Sequence, residues 1–229
     1  MAVYSETLRY LFLASPQTGS KAIKKTLIEQ FQGKQIPETG KHKNGKQVLK
    51  KHHTTLKMLL NSELLTQAQI DQAFKFTGVR NPFDLLVSRY MKHRARHTSQ
   101  SEDPDWARQN PDLAARAKQA FDLPFPEWVQ AVHADVVAAD RDFKGPLLYL
   151  EGADYVIRFE RLQEGFDEVL RKIGVEGQHV VAPYNVTTER VEGSQKKDYR
   201  ELYDDASKAL VQKLYGPVLD RFGYSFEGG

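Results

Sequence analysis

The fold of this chain turns on LRYLFLASPQTGSKAIKK, residues 8–25. Its first seven residues form a short, largely apolar run rich in β-formers, as expected of a strand buried on both faces. Pro16, Gly19 and Ser20 mark a tight turn, after which Ala22, Ile23, Leu27 and Phe31 recur at helical spacing from about Ser20. A helix start presents unpaired N–H groups and the positive end of its dipole, so such a turn is suited to an anion. Gly19 permits close backbone approach, and the Thr18 and Ser20 hydroxyls add donors. The spacing of a nucleotide-hydrolysing loop, two glycines five apart followed by Lys and Ser/Thr, is absent. Taken alone, an ordinary Ser-capped strand-to-helix turn accounts for the stretch more readily.

Further along, FKFTGV (74–79) is a second predicted strand, stopped by Asn81-Pro82. Pro82 suits the first turn of a helix over PFDLLVSRYMKHR. DYVIRF (154–159) reads as a third strand, succeeded by a helix over LQEGFDEVLRKIG that stops at Gly174. FPEWVQAVHADVVAA is an amphipathic helix, and helical pattern also runs from about Gln47 to Leu60. The last thirty residues pattern as a helix interrupted near Gly216-Pro217, with Tyr199, Tyr203 and Tyr215 expected to pack as one stripe. Residues 33–47, rich in Gly, Lys and Gln, are expected to be a mobile loop. Strands alternating with helices predict a three-layer α/β fold with a central parallel sheet flanked by helices, in a single domain spanning 1–229.

In an open parallel sheet ligands bind at the carboxyl ends of the strands. That edge receives both the 15–20 turn and Arg80, with Ser88 eight residues later on the next helix. Arginine's planar fork suits a phosphate bidentately. A salt-bridged arginine at a strand end explains Arg80 in isolation but leaves its pairing with the turn unexplained.

Composition narrows the classes. At 229 residues and 40% hydrophobic content the chain can bury one sizeable core. No apolar run approaches the roughly 20 residues needed to span a bilayer, and the N-terminus lacks a signal-peptide pattern. With no cysteine there is neither a disulfide framework nor a thiolate metal site. The expectation is a cytoplasmic protein without stable membrane insertion. The net charge of +3 conceals an asymmetry, because residues 1–100 hold 17 Lys+Arg against 6 Asp+Glu, whereas the rest hold 16 against 24. The basic half suits an anionic ligand, either nucleic acid or a phosphorylated or sulfated small molecule.

The same residues resemble a known family, the PAPS-dependent sulfotransferases, in particular the carbohydrate-type branch (family 2-like) with its bacterial members. SPQTGSKAI is similar to the 5′-phosphosulfate loop and FTGVRNPFDLLVSRY to the 3′-phosphate motif. KKHHTTLKML resembles a Lys-His-x-Thr segment lying between them, and DYVIRFERLQEGFDEVLRKIGV a family strand–helix pattern. The tail DYRELYDD…LVQKLYGPVLDRFGYSFE is similar to a Tyr-rich C-terminal helix ending in Phe-Gly-Tyr. The resemblance implies a P-loop-like fold and transfer of the sulfuryl group of 3′-phosphoadenosine 5′-phosphosulfate (PAPS) to an acceptor hydroxyl, on a carbohydrate or similar molecule, without a metal. Thr18, Gly19 and Ser20 would cradle the 5′-phosphosulfate, and Arg80 with Ser88 would bind the 3′-phosphate. Lys196 or Lys197, in GSQKKDYR, would join from a basic loop that closes over the nucleotide. His52 falls on the histidine of the Lys-His-x-Thr segment and is the expected base, with His53 the alternative.

One departure stands out. The family usually carries a lysine where this chain has Gln17, and a glutamine brings a hydrogen-bond donor but no charge. Lys21, in the first helical turn, could supply the cation, whereas Lys24 and Lys25 lie a turn further on. A PAPS-binding relative with little or no transfer activity is the competing reading.

Two other features weigh less. His93 and His97 stand four apart, as zinc ligands on a helix do, but no glutamate lies between them, and a solvated basic helix end explains them better. Residues 41–57 hold six lysines and three histidines with no acid. They lack interleaved aromatics and any recognised nucleic-acid motif, so a basic nucleic-acid-binding domain is the weaker alternative. Beside a sulfotransferase cleft the run would favour an anionic small-molecule or glycan acceptor, and a solvated loop is an equal account.

Overall fold

A computed structural model describes residues 1–38, 41–43, 46–49, 54–100, 103–181 and 198–228, with backbone alone for 41–43 and 46–49. The chain forms two compact units, one of Met1–Arg80 with Lys144–Tyr184, the other of Asn81–Phe143 with Asn185–Gly229.

The first unit is built on an open five-stranded sheet. Its strands are β1 (Ala2–Ser5), β2 (Tyr10–Leu13), β3 (Lys34–Ile36), β6 (Phe74–Val79) and β7 (Tyr155–Arg158), in the order β3-β1-β2-β6-β7. A separate two-stranded sheet pairs β4 (Lys41–Lys43) with β5 (Lys46–Leu49). β2, β6 and β7 run parallel, whereas β1 pairs antiparallel with both β2 and β3. The fully parallel sheet expected from the sequence is therefore corrected to a mixed one. The reason is connection length: four residues join β1 to β2, with Arg9 at φ 50, and only an antiparallel pair can close so short a link. Residues 33–47 also hold strand β3 and most of the small two-stranded sheet rather than continuous loop, and among the described residues the helix expected from Gln47 to Leu60 occurs only as α2 (Leu56–Leu60), with Gln47–Leu49 in strand β5.

The apolar run at β2 alternates between two cores, which is why it reads as continuously hydrophobic. Tyr10 and Phe12 pack with Phe76 and Ile157 beneath α1 (Ser20–Gln30) and α9 (Leu162–Lys172). Leu11 and Leu13 face the opposite side, with Leu59 of α2 and Ile70 of α3 (Gln67–Gln72). Helices thus flank both faces of the sheet, and a single helical turn, α8 (Leu147–Leu150), precedes β7. The Tyr10 hydroxyl donates to the Phe31 carbonyl at 2.9 Å, satisfying an acceptor at the end of α1. Thr77 Oγ1 donates to the Leu13 carbonyl at 2.7 Å, tying β6 to β2 near their carboxyl ends.

The second unit is helical: α4 (Pro82–Gln100), α5 (Pro104–Gln109), α6 (Pro111–Asp122), α7 (Phe125–Ala138) and α10 (Asp205–Phe222). Asn81 Oδ1 accepts from the Phe83 N–H at 3.1 Å and starts α4, with Pro82 at the first position as expected. The predicted break at Gly216-Pro217 does not occur, and α10 runs through Pro217 to the left-handed Gly223. Buried Val211, Leu214, Tyr215, Val218 and Leu219 anchor both sides of the proline, so packing outweighs the one lost helical bond. The three tyrosines do not pack as one stripe, since Tyr199 joins Tyr203 on Phe226 while Tyr215 lies apart. Tyr203 packs with Phe83, Phe125 and Phe226, whereas Tyr215 packs with His133 and Phe143.

His133 is a buried polar group in this core. Its Nδ1 lies 2.8 Å from the Val129 carbonyl, which can only accept, so Nδ1 carries the proton and Nε2, at 3.2 Å, accepts from the Tyr215 hydroxyl. Burial, with a smaller contribution from Arg89, lowers the His133 pKa, opposed by the bond to Val129. The folded state therefore binds fewer protons than the unfolded chain, whose histidine titrates near 6.5. Stability should be full above about pH 6.5 and fall as pH drops below it, until the folded-state pKa is passed. Denaturant midpoints measured between pH 7.5 and 5 should show this decline. His133→Gln should be less stable at pH 7.5 yet flatter across that window.

Candidate functional site

The parallel strands end together, and the segments that leave them meet at one edge of the first unit. β2 leads into the 15–20 turn, β6 into Arg80, and β7 into a short 3-10 turn at Phe159–Arg161 before α9.

Within the turn, Gln17 and Gly19 both take positive φ, 62 and 71, while Thr18 between them does not. Alternation of this kind turns successive N–H groups toward one side, the arrangement that cups anions. Gly19 is the N-cap of α1 in the left-handed conformation, and no side chain caps the helix. A cap of that kind leaves the helix start to whatever else can bond there. Thr18 is buried, and its hydroxyl donates inward to the Ser15 carbonyl at 2.9 Å. It therefore braces the turn, while Ser20 is half-buried and Lys21 exposed in the first helical turn.

Two glycine-dependent contacts seat the turn. A Cβ on Gly78 of β6 would stand 2.7 Å from Thr18 Oγ1 and 2.9 Å from its Cβ, closer than real side chains approach. A Cβ on Gly19 would meet Leu162 at 3.1 Å, on a backbone only glycine adopts easily. Gly78 escaped the sequence reading, because a glycine inside a strand signals close backbone approach without saying to what. Gly78→Ala should displace the turn and cost about 1–3 kcal/mol of stability, read as a lower thermal midpoint.

Arg80 is 9% exposed. One N–H donates from Nη1 to the Gln17 carbonyl at 3.2 Å, and the guanidinium lies over the Phe159 ring at 4.1 Å from its centre. The stacking and the bond hold the fork at the same edge as the start of α1. Phe159 and Leu162 are thus part of the site's frame, which only the strand–helix pattern after β7 hinted at. Lys24 is turned away, its Nζ donating to Gln35 on β3, and Lys25 stands 4.0 Å from Glu29.

The remaining candidates fall elsewhere. Ser88 is buried on α4 in the second unit. His52, His53, Lys196 and Lys197 lie outside the described residues. A groove of about 820 Å³ in the first unit is lined by α9 and residues 174–180, and contains none of the candidates. No group of three or more His, Asp or Glu able to hold a metal occurs among the described residues, nor does any helix long and apolar enough to cross a membrane.

The edge has the donor chemistry of an anion site: hydroxyl and backbone N–H groups at a helix start, a lysine on the first turn, and a buried arginine. Comparison with known proteins bears on which anion. A model of the sulfotransferase family matches residues 2–225, nearly the whole chain. No curated protein and no solved structure matches.

Proposed function

We propose that this chain, which belongs to the sulfotransferase family, moves the sulfuryl group of PAPS to a hydroxyl of a carbohydrate or similar acceptor. The observation that carries the reading is the position of Arg80. Its guanidinium, bonded to the Gln17 carbonyl and stacked on Phe159, puts a fixed charge beside the turn at the start of α1. Arg80 and the 15–20 turn, drawn from the two stretches that resemble the 3′-phosphate motif and the phosphosulfate loop, meet at one sheet edge, which supports the P-loop-like reading. The residues fit a doubly anionic nucleotide, with the turn's N–H groups and Ser20 toward the 5′ group and Arg80 toward the 3′-phosphate. When bound, PAPS supplies an electrophilic sulfuryl group on a phosphate leaving group.

The protein's part is positioning and charge stabilisation. The turn orients the 5′ end, while Arg80 selects nucleotides carrying a 3′-phosphate. Lys21 can direct its long side chain back over the helix N-terminus, placing a cation where negative charge grows during transfer. An imidazole at position 52, or its neighbour at 53, takes the proton from the acceptor hydroxyl.

The reading is tested by thermal shift with 3′-phosphoadenosine 5′-phosphate (PAP) against ADP, then by transfer of labelled sulfate from PAPS to an acceptor panel. Equal stabilisation by ADP would reject the 3′-phosphate assignment. Strong PAP binding without transfer to any acceptor would favour the non-transferring relative. Lys21→Met should cut turnover by at least tenfold while leaving PAP affinity nearly unchanged, and adding Gln17→Lys should restore part of the rate. Full activity in Lys21→Met would leave the charge to Gln17 and backbone donors.

A further inference from the structure

The second unit carries a cationic face that sulfuryl transfer at the sheet edge does not use. Arg89, Lys92, His93 and Arg96 occupy positions i, i+3, i+4 and i+7 of α4, one side of that helix. Arg116 of α6 comes close enough to act on the same histidine. Among the described residues no ion pair engages Arg89, Arg96 or Arg116. Arg94, by contrast, is turned off this face and bonds the Tyr90 hydroxyl and the Ala120 and Phe121 carbonyls. Its role is to pin α6 to α4.

His93 sits in the middle, and its Nδ1 is buried with no hydrogen-bond partner among the described residues. Buried polar nitrogens are almost always paired, so such an atom asks for an explanation. The charged groups acting on the ring are Arg89, Lys92 and Arg96 on its own helix and Arg116 opposite, all of them cations. His97, one turn on, packs against Phe121 with the two rings tilted by 43°. With burial as the larger cause, these cations lower the His93 pKa to about 4. Like charges at i, i+3 and i, i+4 repel and destabilise a helix. No described carboxylate pairs with the three arginines of the face.

We infer that this face of α4, completed by Arg116 of α6, binds a sulfate- or phosphate-type oxyanion, either free or carried on a sugar. Three guanidiniums provide the forked donors that tetrahedral oxyanions favour over a simple halide. A bound anion would offset the repulsion and make a charged His93 tolerable, so occupancy and protonation of that ring are coupled.

The coupling gives a local measurement. The His93 ring is monitored by NMR from pH 7.5 to 4, with saturating PAP present so that the turn at α1 is not the reporter. Sodium sulfate should raise the His93 midpoint by about one pH unit relative to sodium chloride at equal ionic strength. Arg96→Gln with Arg116→Gln should abolish that difference, raise the thermal midpoint in the absence of sulfate by relieving repulsion, and leave PAP binding intact. A sulfated disaccharide acting at tenfold lower concentration than inorganic sulfate would identify the anion as one carried on a sugar. A response to inorganic sulfate alone would identify it as free. A His93 midpoint no higher in sulfate or the disaccharide than in chloride, or an unchanged response in the double variant, would overturn the site. Neither result touches sulfuryl transfer, which the labelled-sulfate assay reads independently.

Discussion

Arg80→Ala should lower PAP affinity by about two orders of magnitude or more, while ADP binding, weak in the wild type, changes far less. Removing one partner of a buried, charge-assisted contact costs about 2–5 kcal/mol, and each 1.4 kcal/mol is tenfold in affinity. Arg80 also donates to the Gln17 carbonyl and stacks on Phe159, so its loss loosens the turn. Two controls separate the roles. Arg80→Lys keeps the charge but loses the fork and should recover only part of the affinity. Phe159→Leu removes the stacking platform alone, and should weaken PAP binding less than Arg80→Ala does. Calorimetric titration of PAP and ADP against all three variants is decisive, and an Arg80→Ala protein that bound PAP like the wild type would remove the clamp.

His52→Ala should lower turnover by about 100-fold or more, the usual contribution of a positioned acid or base, with PAP affinity nearly unchanged. The pH profile supplies the second readout. An imidazole acting as base must be neutral, so kcat/KM in the wild type should fall as pH drops through the pKa of that group. The acidic limb should disappear in His52→Ala. The same losses in His53→Ala, with His52→Ala active, would move the role to the neighbouring residue. Full activity in both would remove histidine catalysis from this segment.

The elements legible in the chain alone are those whose signals are local. The run at 10–13, the glycine and serine turn, the helical spacing from Ser20 and the Asn81-Pro82 start of α4 each lie within a few residues of the structure they specify. A period, a cap or a fixed φ acts over one or two turns of chain, so these features can be read without knowing the rest. The choice of Arg80 and of the 15–20 turn as partners was legible too, because parallel strands must end at a common edge. The family motifs in their order carried that reading to the sulfotransferase family, whose model matches residues 2–225.

How those pieces are held emerges only from the packed molecule. AVYS is too short for a period to show, so β1 and the antiparallel half of the sheet emerge only once Ala2–Ser5 pairs with Tyr10–Leu13 and Lys34–Ile36. The need for glycine at 78 and the stacking of Arg80 on Phe159 join residues some sixty to eighty positions apart, and the inward hydroxyl of Thr18 lies at the first of these contacts. The environment of His93 has the same origin. The basic residues around it and the lack of a nearby glutamate suggested a solvated helix end, but packing of α6 against α4 buries one ring nitrogen and brings Arg116 to a face already rich in cations. Burial and charge at a point are sums over everything that packs there, and no local stretch of sequence contains that sum.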